Sequence, residues 1–386
     1  MNIIKRCWAE VSLDALLSNL DKIKNSTNTE VMCVVKANAY GHGDEMVVST
    51  LENAGVRHFA VASMNEAVHL RKNGCRSEIL LLGGYLSDCF EYAGMYDITL
   101  AVYDTQFAKH LSDFAISSNK KIKVHIKLNT GMTRIGFECA NPEYYRSAVD
   151  AIKQVVCMKG LDVCGAFTHF SVSDEPNGEE FTNAQLLHLN AVRKLLEQDG
   201  VYIPVWHTSN SGAIVNYNQS HMDMVRAGIL LYGMYNGFGA GDEYQRVLSL
   251  KSVITQIREI KKGTPVSYGG TFVADKKMRV ATVSIGYADG YPRSMSNGGK
   301  MIVGGKYAHI IGRVCMDQTV IDVSDIDCKV GDTVTIIGDE NGKSVTANDI
   351  AVSDNTINYE IVCRLSPRIP RVYVQNGEVC KITEYI

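Results

Sequence analysis

The sequence predicts an α/β protein in two parts, an N-terminal (β/α)8 TIM barrel followed by a C-terminal, mostly-β domain. Apolar segments of strand length alternate with amphipathic stretches from residue 30 to about residue 232, and eight such repeats match the strand count of a closed barrel. After about residue 242 helical periodicity nearly disappears, and short β-branched segments separated by glycine-rich turns take over. Between the two regimes, Asn236-Gly237-Phe238-Gly239-Ala240-Gly241-Asp242 has the composition of a linker. The expected domains are therefore 1–242 and 243–386, with the first few residues able to pack with the β domain.

The expected barrel strands are 30–36, 58–63, 78–83, 98–103, 121–128, 161–168, 202–208 and 222–231. Helical stretches at 46–54, 66–72, 105–116 and 184–198 lie between them. A doubly wound sheet is the alternative for the same alternation. In a barrel the loops after the strands converge on one face, which makes neighbours of Lys36, Arg134, His169, Ser211 and Arg226. The β domain should carry strands at 247–260, 279–285, 301–303, 319–323, 333–337 and 371–374.

Composition narrows the class. With 386 residues, 46% hydrophobic, 21% charged and a net charge of −3, the chain is an ordinary globular protein with no stripe for nucleic acid. Neither a signal peptide at residues 1–7 nor an apolar run of about 20 residues is legible, so the expectation is a cytoplasmic protein without a membrane partner. The 11 cysteines show no metal-ligand spacing, and their odd number fits reduced thiols. No metal site is expected.

Lys36 ends the apolar run Val31-Met32-Cys33-Val34-Val35 and precedes Ala37-Asn38-Ala39-Tyr40-Gly41-His42-Gly43. Apolar neighbours desolvate an amine placed there and favour its neutral, nucleophilic form, so Schiff-base chemistry is the first expectation. A lone lysine at a strand end is more commonly a solvated terminus, and it is the set of polar residues at other strand ends that raises the odds. His207-Thr208-Ser209-Asn210-Ser211-Gly212-Ala213 joins a strand to a helix, where hydroxyls and amides could hold a phosphate. A plain helix cap at Asn210 or Ser211 is at least as good a reading. Arg226 in Val225-Arg226-Ala227-Gly228-Ile229 is an anion ligand or half of an ion pair, and His169 a catalyst or a satisfied core histidine. In the second half, Val266-Ser267-Tyr268-Gly269-Gly270, Gly286-Tyr287-Ala288-Asp289-Gly290-Tyr291-Pro292-Arg293 and Gly312-Arg313-Val314-Cys315-Met316-Asp317 hold more polar and aromatic groups than turns require.

From Ala9-Glu10 to Pro370-Arg371 the chain resembles the alanine racemases, pyridoxal 5'-phosphate (PLP) enzymes built from a barrel and a β domain. The motifs that carry the resemblance are Val35 to Gly43, Thr130-Gly131-Met132-Thr133-Arg134-Ile135-Gly136, Arg226-Ala227-Gly228-Ile229-Leu230-Leu231-Tyr232-Gly233 and the three turns just named. The resemblance implies that Lys36 binds PLP covalently, and that Tyr40, Ser211, Gly228, Ile229 and Tyr359 surround its phosphate, with Asn210 beside them. It places Arg134 against the phenolic oxygen, His169 against the ring, and Arg226, supported by His207, at the pyridine nitrogen. A guanidinium does not readily give up its proton, so the ring is a weaker electron sink than one paired with a carboxylate, which favours racemisation over transamination.

The resemblance further implies a two-base reaction with Lys36 on one face of Cα and Tyr268 on the other, Tyr268 coming from the second subunit of a homodimer with composite active sites. A free phenol ionises only near pH 10, about three units above neutrality. Arg293 and Arg313 are the candidate cations to assist it. The Met316 amide, next to Cys315 and Asp317, binds the substrate carboxylate together with Arg134, while Tyr287 and Tyr359 narrow the entry. Lys127 matches a lysine that is carbamylated in some relatives, and Asn129 stands where many relatives carry aspartate.

The expected function is an isomerase that interconverts L- and D-alanine, supplying D-alanine for peptidoglycan. A serine racemase of the glycopeptide-resistance type is the alternative, and Tyr359, where such enzymes often carry asparagine, favours alanine. A barrel-type PLP decarboxylase would present a carboxylate in place of Arg226. A non-catalytic PLP carrier would lack the β domain altogether.

Overall fold

The computed structural model describes residue 4, residues 6–239 and residues 243–384. Ala240, Gly241 and Asp242 of the expected linker lie outside the described residues, as do Met1 to Ile3 and Lys5 of the N-terminal segment. The chain divides into two compact units: Leu17–Ala39 with Asp44–Gln245, and Met1–Leu16 with Tyr40–Gly43 and Arg246–Ile386.

The first unit is a closed barrel of eight parallel strands: Glu30–Val34, His58–Val61, Glu78–Leu81, Thr99–Val102, Ile122–Asn129, Leu161–Phe167, Trp206–His207 and Met224–Ala227. Each pairs with the next in order, and Met224–Ala227 closes the ring on Glu30–Val34 with Arg226 opposite Met32. Helices cover the outside, so most strand positions are buried and read as near-continuous apolar runs. The helices open where their sequences cap them. Ser63 and Glu66 form a capping box at Met64–Lys72, and the Asp104 side chain accepts from Phe107 N–H at the start of Thr105–Ser117.

Two strands are shorter than the sequence suggests. Segment 202–208 contributes only Trp206–His207, because Pro204 cannot donate to a ladder, and 222–231 contributes Met224–Ala227 before the chain turns at Gly228. Residues 236–239 form neither helix nor strand.

The second unit is built on a ten-stranded sheet. Its longest member, Leu248–Ile260, pairs with Thr333–Glu340 through its first half and with Met278–Val283 through its second. A register shift between Ile254 and Gln256 lets one strand serve both partners. Strand Cys7–Ser12 lies inside this sheet, antiparallel to Leu248–Ile260 and parallel to Arg371–Gln375, with Ala9 opposite both Leu250 and Arg371. A separate hairpin, Pro265–Val266 with Phe272–Val273, stands on a small core that includes Ile260, Met278, Val280 and Ile311. Helices Ala347–Ser353 and Asn358–Cys363 are the α-helical content of the otherwise β region after residue 246.

Asn19, on helix Leu13–Thr27 and 0% exposed, ties the barrel's last turn in place. Its amide donates to the carbonyls of Leu231 and Gln245 at 3.0 and 2.8 Å and accepts from Gln245 N–H at 2.8 Å. Asn19→Ala strands these backbone groups and should cost about 2 kcal/mol of stability, measured by denaturant unfolding.

Candidate active site

Lys36 opens a turn of uncommon hand at the C-terminal end of the first barrel strand. Ala37, Asn38 and Ala39 sit at φ/ψ of 54°/50°, 55°/49° and 52°/52°, and Tyr40 follows at φ 52°, so four successive non-glycine residues are left-handed. Such a conformation costs an L-residue about 1–2 kcal/mol each, so the turn must be held from outside. Glu66 does much of this. One carboxylate oxygen accepts from Ala37 N–H at 2.6 Å, and the other accepts from Ala62 and Ser63 N–H at 2.9 and 3.0 Å. The Asn38 carboxamide oxygen also accepts from Asp44 N–H at 2.9 Å.

Arg226 is buried within the last barrel strand. Its Nη1 donates to His207 Nδ1 at 2.9 Å and to the His207 carbonyl at 3.0 Å, while Nη2 reaches the carbonyls of Thr168 and Thr208, both at 2.8 Å, and His169 Nδ1 at 3.2 Å. Nε makes no hydrogen bond among the described residues. Burial pulls the guanidinium down to about 9, which still leaves it charged at neutral pH.

A guanidinium can only donate, so His207 Nδ1 must accept and its proton sits on Nε2. That nitrogen lies 2.8 Å from His125 Nδ1, which fixes the next tautomer in the same way and gives a buried relay Arg226–His207–His125. Burial first, and then the neighbouring Arg226 charge, pushes His207 well below the ordinary histidine value; burial takes His125 to about 4. The His207 ring stacks on Phe167 at 4.8 Å, and Lys127 Nζ and the Arg226 guanidinium lie 4.5 and 5.5 Å from the Phe167 ring centroid.

Cations dominate the mouth of the barrel. Burial and then the charges of Arg226, Lys127, Arg134 and Lys36 all push His169 well below its ordinary value. Lys127 is pushed well down too, by burial and then by Arg226 and Arg134. None of Lys127, Arg134 and Arg226 is ion-paired with a carboxylate among the described residues. Arg134 projects from a loop pinned by Asn129, whose oxygen accepts from Gly131 and Thr133 N–H at 3.3 and 2.8 Å and whose amide donates to Glu138 at 2.5 Å. An aspartate could accept there but could not donate to Glu138, which accounts for the asparagine.

Asn210 is the cap of helix Ser211–Asn216: its side-chain oxygen accepts from Ala213 N–H and Ser173 Oγ at 3.1 and 2.6 Å. The Ser211 hydroxyl accepts from Gly228 and Leu230 N–H at 3.2 and 3.3 Å. Lys36, Lys127, Arg134, His169, His207, Asn210, Ser211, Arg226, Gly228 and Ile229 thus all belong to the barrel unit.

The other nine expected residues belong to the second unit. Tyr40 and Tyr359 face each other with ring centroids 6.1 Å apart. Tyr268, 71% exposed, sits on the turn of the small hairpin. The Arg313 guanidinium lies against its neighbour Gly269, whereas Arg293 starts a separate turn, Arg293–Met295. The turns bearing Tyr287 and Met316 are joined by Tyr287 N–H to the Cys315 carbonyl and Ala288 N–H to the Met316 carbonyl, both at 3.0 Å. Beneath them Asp289, 0% exposed, takes bonds from Arg6 at 2.6 and 2.9 Å, Arg368 at 2.8 Å and Gly286 N–H at 2.9 Å. Arg368 also reaches Asp317 at 2.7 Å. Burial alone would raise the Asp289 carboxyl, but these donors outweigh it and hold it below the usual carboxylate range. Met316 is 52% exposed on this support.

The family model for the alanine racemase N-terminal domain matches residues 11–236, and that for the C-terminal domain matches residues 247–373. The chain belongs to the alanine racemase family. It is 43% identical to the alanine racemase of Clostridium perfringens (strain ATCC 13124) over 99% of both chains. The solved alanine racemase of Clostridium difficile 630 superposes at a TM-score of 0.94, with 38% identity over the whole of both chains. That of Bartonella henselae, solved with covalently bound pyridoxal phosphate, gives 0.84 at 27% identity over 96% of this chain and 99% of its own. Alanine racemisation is the activity of these relatives, and the serine alternative is not favoured.

Within this alanine racemase fold, the sequence reading missed His125 and Glu66. A signal for the first existed: Ile122–Asn129 alternates Lys123, His125, Lys127 and Asn129 with apolar residues, which turns a row of polar groups to one face of a barrel strand. Gly165 makes room for it, since a Cβ there would meet the His125 ring at 2.6 Å.

The buried neutral histidines set a pH dependence. His125 is at about 4 in the folded state against 6.5 when unfolded, so below pH 6.5 the unfolded chain takes up protons that the folded chain refuses. Stability should fall as pH drops from about 6.5 to about 4, with about 3 kcal/mol from His125 alone, and be unaffected by this group above 6.5. Urea midpoints across that window test this; a flat profile would mean solvated, charged histidines.

Proposed function

We propose that this protein interconverts L- and D-alanine with PLP as cofactor, using Lys36 and Tyr268 as its two proton-transfer groups. The observation that carries the reading is the concentration of Lys36, Lys127, Arg134 and Arg226 around the neutral His169, without carboxylates on Lys127, Arg134 or Arg226 among the described residues. A phosphorylated, phenolic pyridine fits that donor set. Lys36 supplies the amine for covalent attachment, the unengaged Nε of Arg226 the donor for the ring nitrogen, and Arg134 a cation for the phenolic oxygen. Ser211, Gly228 and Ile229, with Tyr40 and Tyr359, are proposed to hold the phosphate, and Asn210 to shape that loop as its cap.

PLP, when bound, supplies the electron sink that makes the Cα proton of alanine acidic. The chain's own groups do the rest. Arg226 stays protonated and, fixed by His207, keeps its donor aimed without surrendering a proton. Lys36 Nζ takes or returns the proton on one face of Cα. The Tyr268 phenol serves the other, Arg313 being the nearer candidate to assist it and Arg293 the second. The Met316 amide and Arg134 take the substrate carboxylate, with Cys315 and Asp317 shaping that turn, while Tyr287 narrows the entry. Lys127 is proposed to orient Arg134.

We place Tyr268 and Met316 in the site of a second copy of the chain, so that the working enzyme is a homodimer with the barrel (1–242) and β domain (243–386) as its two contributors. A cytoplasmic enzyme delivering D-alanine to peptidoglycan synthesis is the matching role. Among the described residues no helix is long and apolar enough to cross a membrane.

Chiral chromatography of L-alanine and L-serine incubated with the PLP-loaded protein tests the activity. Alanine should turn over about ten-fold faster or more, some 1.4 kcal/mol of transition-state preference, and Lys36→Ala should abolish turnover; comparable serine rates would overturn the alanine assignment. Mixing the inactive Lys36→Ala and Tyr268→Phe proteins tests the composite site. Exchange into mixed dimers leaves one site with both groups intact, so about a quarter of wild-type activity should return. No recovery on demonstrated subunit exchange would put both groups on one chain.

A further inference from the structure

Ser267, immediately before Tyr268, has φ 61° and ψ −173°. That region of backbone space is open in practice only to glycine, and a residue with a Cβ persists there only where its surroundings over-determine it. The surroundings do so here. The Ser267 hydroxyl donates to the Arg313 carbonyl at 2.6 Å and lies 3.3 Å from Cys315 Sγ, while its own carbonyl accepts from Gly270 N–H at 3.2 Å. The facing chain is so close that a Cβ at Gly312 would lie 2.8 Å from Ser267 Cβ. A second tie runs beside the first: Gly312 N–H donates to Asn297 Oδ1 at 2.6 Å, and Asn297 Nδ2 donates to Thr271 Oγ1 at 3.1 Å.

Glycine would sit at position 267 without strain, so serine there is explained by its hydroxyl. That hydroxyl is a direct hydrogen-bonded link between the hairpin carrying Tyr268 and the chain 313–315 leading into Met316. Tyr268 itself is exposed and makes no hydrogen bond among the described residues, so its aim is set by the backbone that carries it.

We propose that Ser267 is a positioning residue for proton transfer, its strained backbone and its bond to the Arg313 carbonyl fixing the direction of Tyr268 and its spacing from the Met316 amide. The inference rests on the reading of Tyr268 as the second proton-transfer group. Strain of this kind marks a geometry maintained at the expense of stability, so activity and stability should respond in opposite directions when it is released.

The test uses the full-length, PLP-loaded protein with Ser267→Gly, Ser267→Ala and Tyr268→Phe. Ser267→Gly suits the backbone and should keep or raise the melting temperature, in both the loaded and PLP-free forms. Its kcat should nevertheless fall about ten-fold or more, since a small misplacement of a reacting group is that costly. Ser267→Ala, which keeps the strain and loses the tie, should lower both. With Cα-deuterated alanine, the kinetic isotope effect in Ser267→Gly should rise in one direction of racemisation only, the direction in which Tyr268 removes the Cα proton. A role confined to folding would not produce that asymmetry. Wild-type kcat and isotope effects in Ser267→Gly, with Tyr268→Phe impaired, overturn the positioning role; wild-type rates in Tyr268→Phe overturn the two-base reading beneath it.

Discussion

A buried guanidinium with no carboxylate to neutralise it among the described residues is the constraint on which the barrel's mouth depends. Arg226 is satisfied by dipoles alone: the carbonyls of His207, Thr168 and Thr208 and two imidazole nitrogens. Those imidazoles must stay neutral and present a lone pair, which is why the His207–His125 contact matters as much as the contact to Arg226 itself. With Arg134 and Lys36 bearing on the same space, the mouth of the barrel concentrates positive charge in a low-dielectric setting. An anionic ligand relieves a cost already built into the fold, so the electrostatics that select a phosphorylated cofactor also make its binding a source of stability.

The turn after Lys36 applies the same logic to the backbone. Four left-handed non-glycine residues would not persist in an isolated peptide, and Glu66, Asn38 and the packing of Ala39 and Tyr40 hold them there. A lysine on an ordinary right-handed helix would share its first turn with neighbours pointing along the same face. Reversing the hand directs the following side chains elsewhere, and the strained residues at Ala37–Tyr40 and at Ser267 both adjoin groups assigned to the reaction.

Much of the fold was legible because its signals are periodic. Eight apolar segments recur at the spacing of strand-helix units, and the closing pair Met224–Ala227 with Glu30–Val34 follows from that count. The short seventh strand was overestimated because the apolar run 202–208 contains a proline, whose effect on the ladder is local. The clustering of Lys36, Arg134, His169, Ser211 and Arg226 in one unit follows from barrel topology. What could not be read is geometry that leaves no periodic trace. The hand of the Lys36 turn is carried by Ala-Asn-Ala-Tyr, where only asparagine hints at it. Ser267 occupies a glycine conformation without being glycine, and Glu66 looks like half of a capping box while its other oxygen reaches Ala37.

The strand Cys7–Ser12 lies between Leu248–Ile260 and Arg371–Gln375. Both partners are made after it, the nearer more than two hundred residues later in the sequence. At roughly 5–20 residues per second of synthesis, the strand waits on the order of ten to fifty seconds for a neighbour. Throughout that interval an apolar segment with unpaired amides is displayed on the nascent chain, a template for wrong pairing in the ribosome's surroundings. Cys7–Ser12 therefore gains its second neighbour only when the chain has been made through Arg371–Gln375, and shielding it during elongation should raise the yield of native protein.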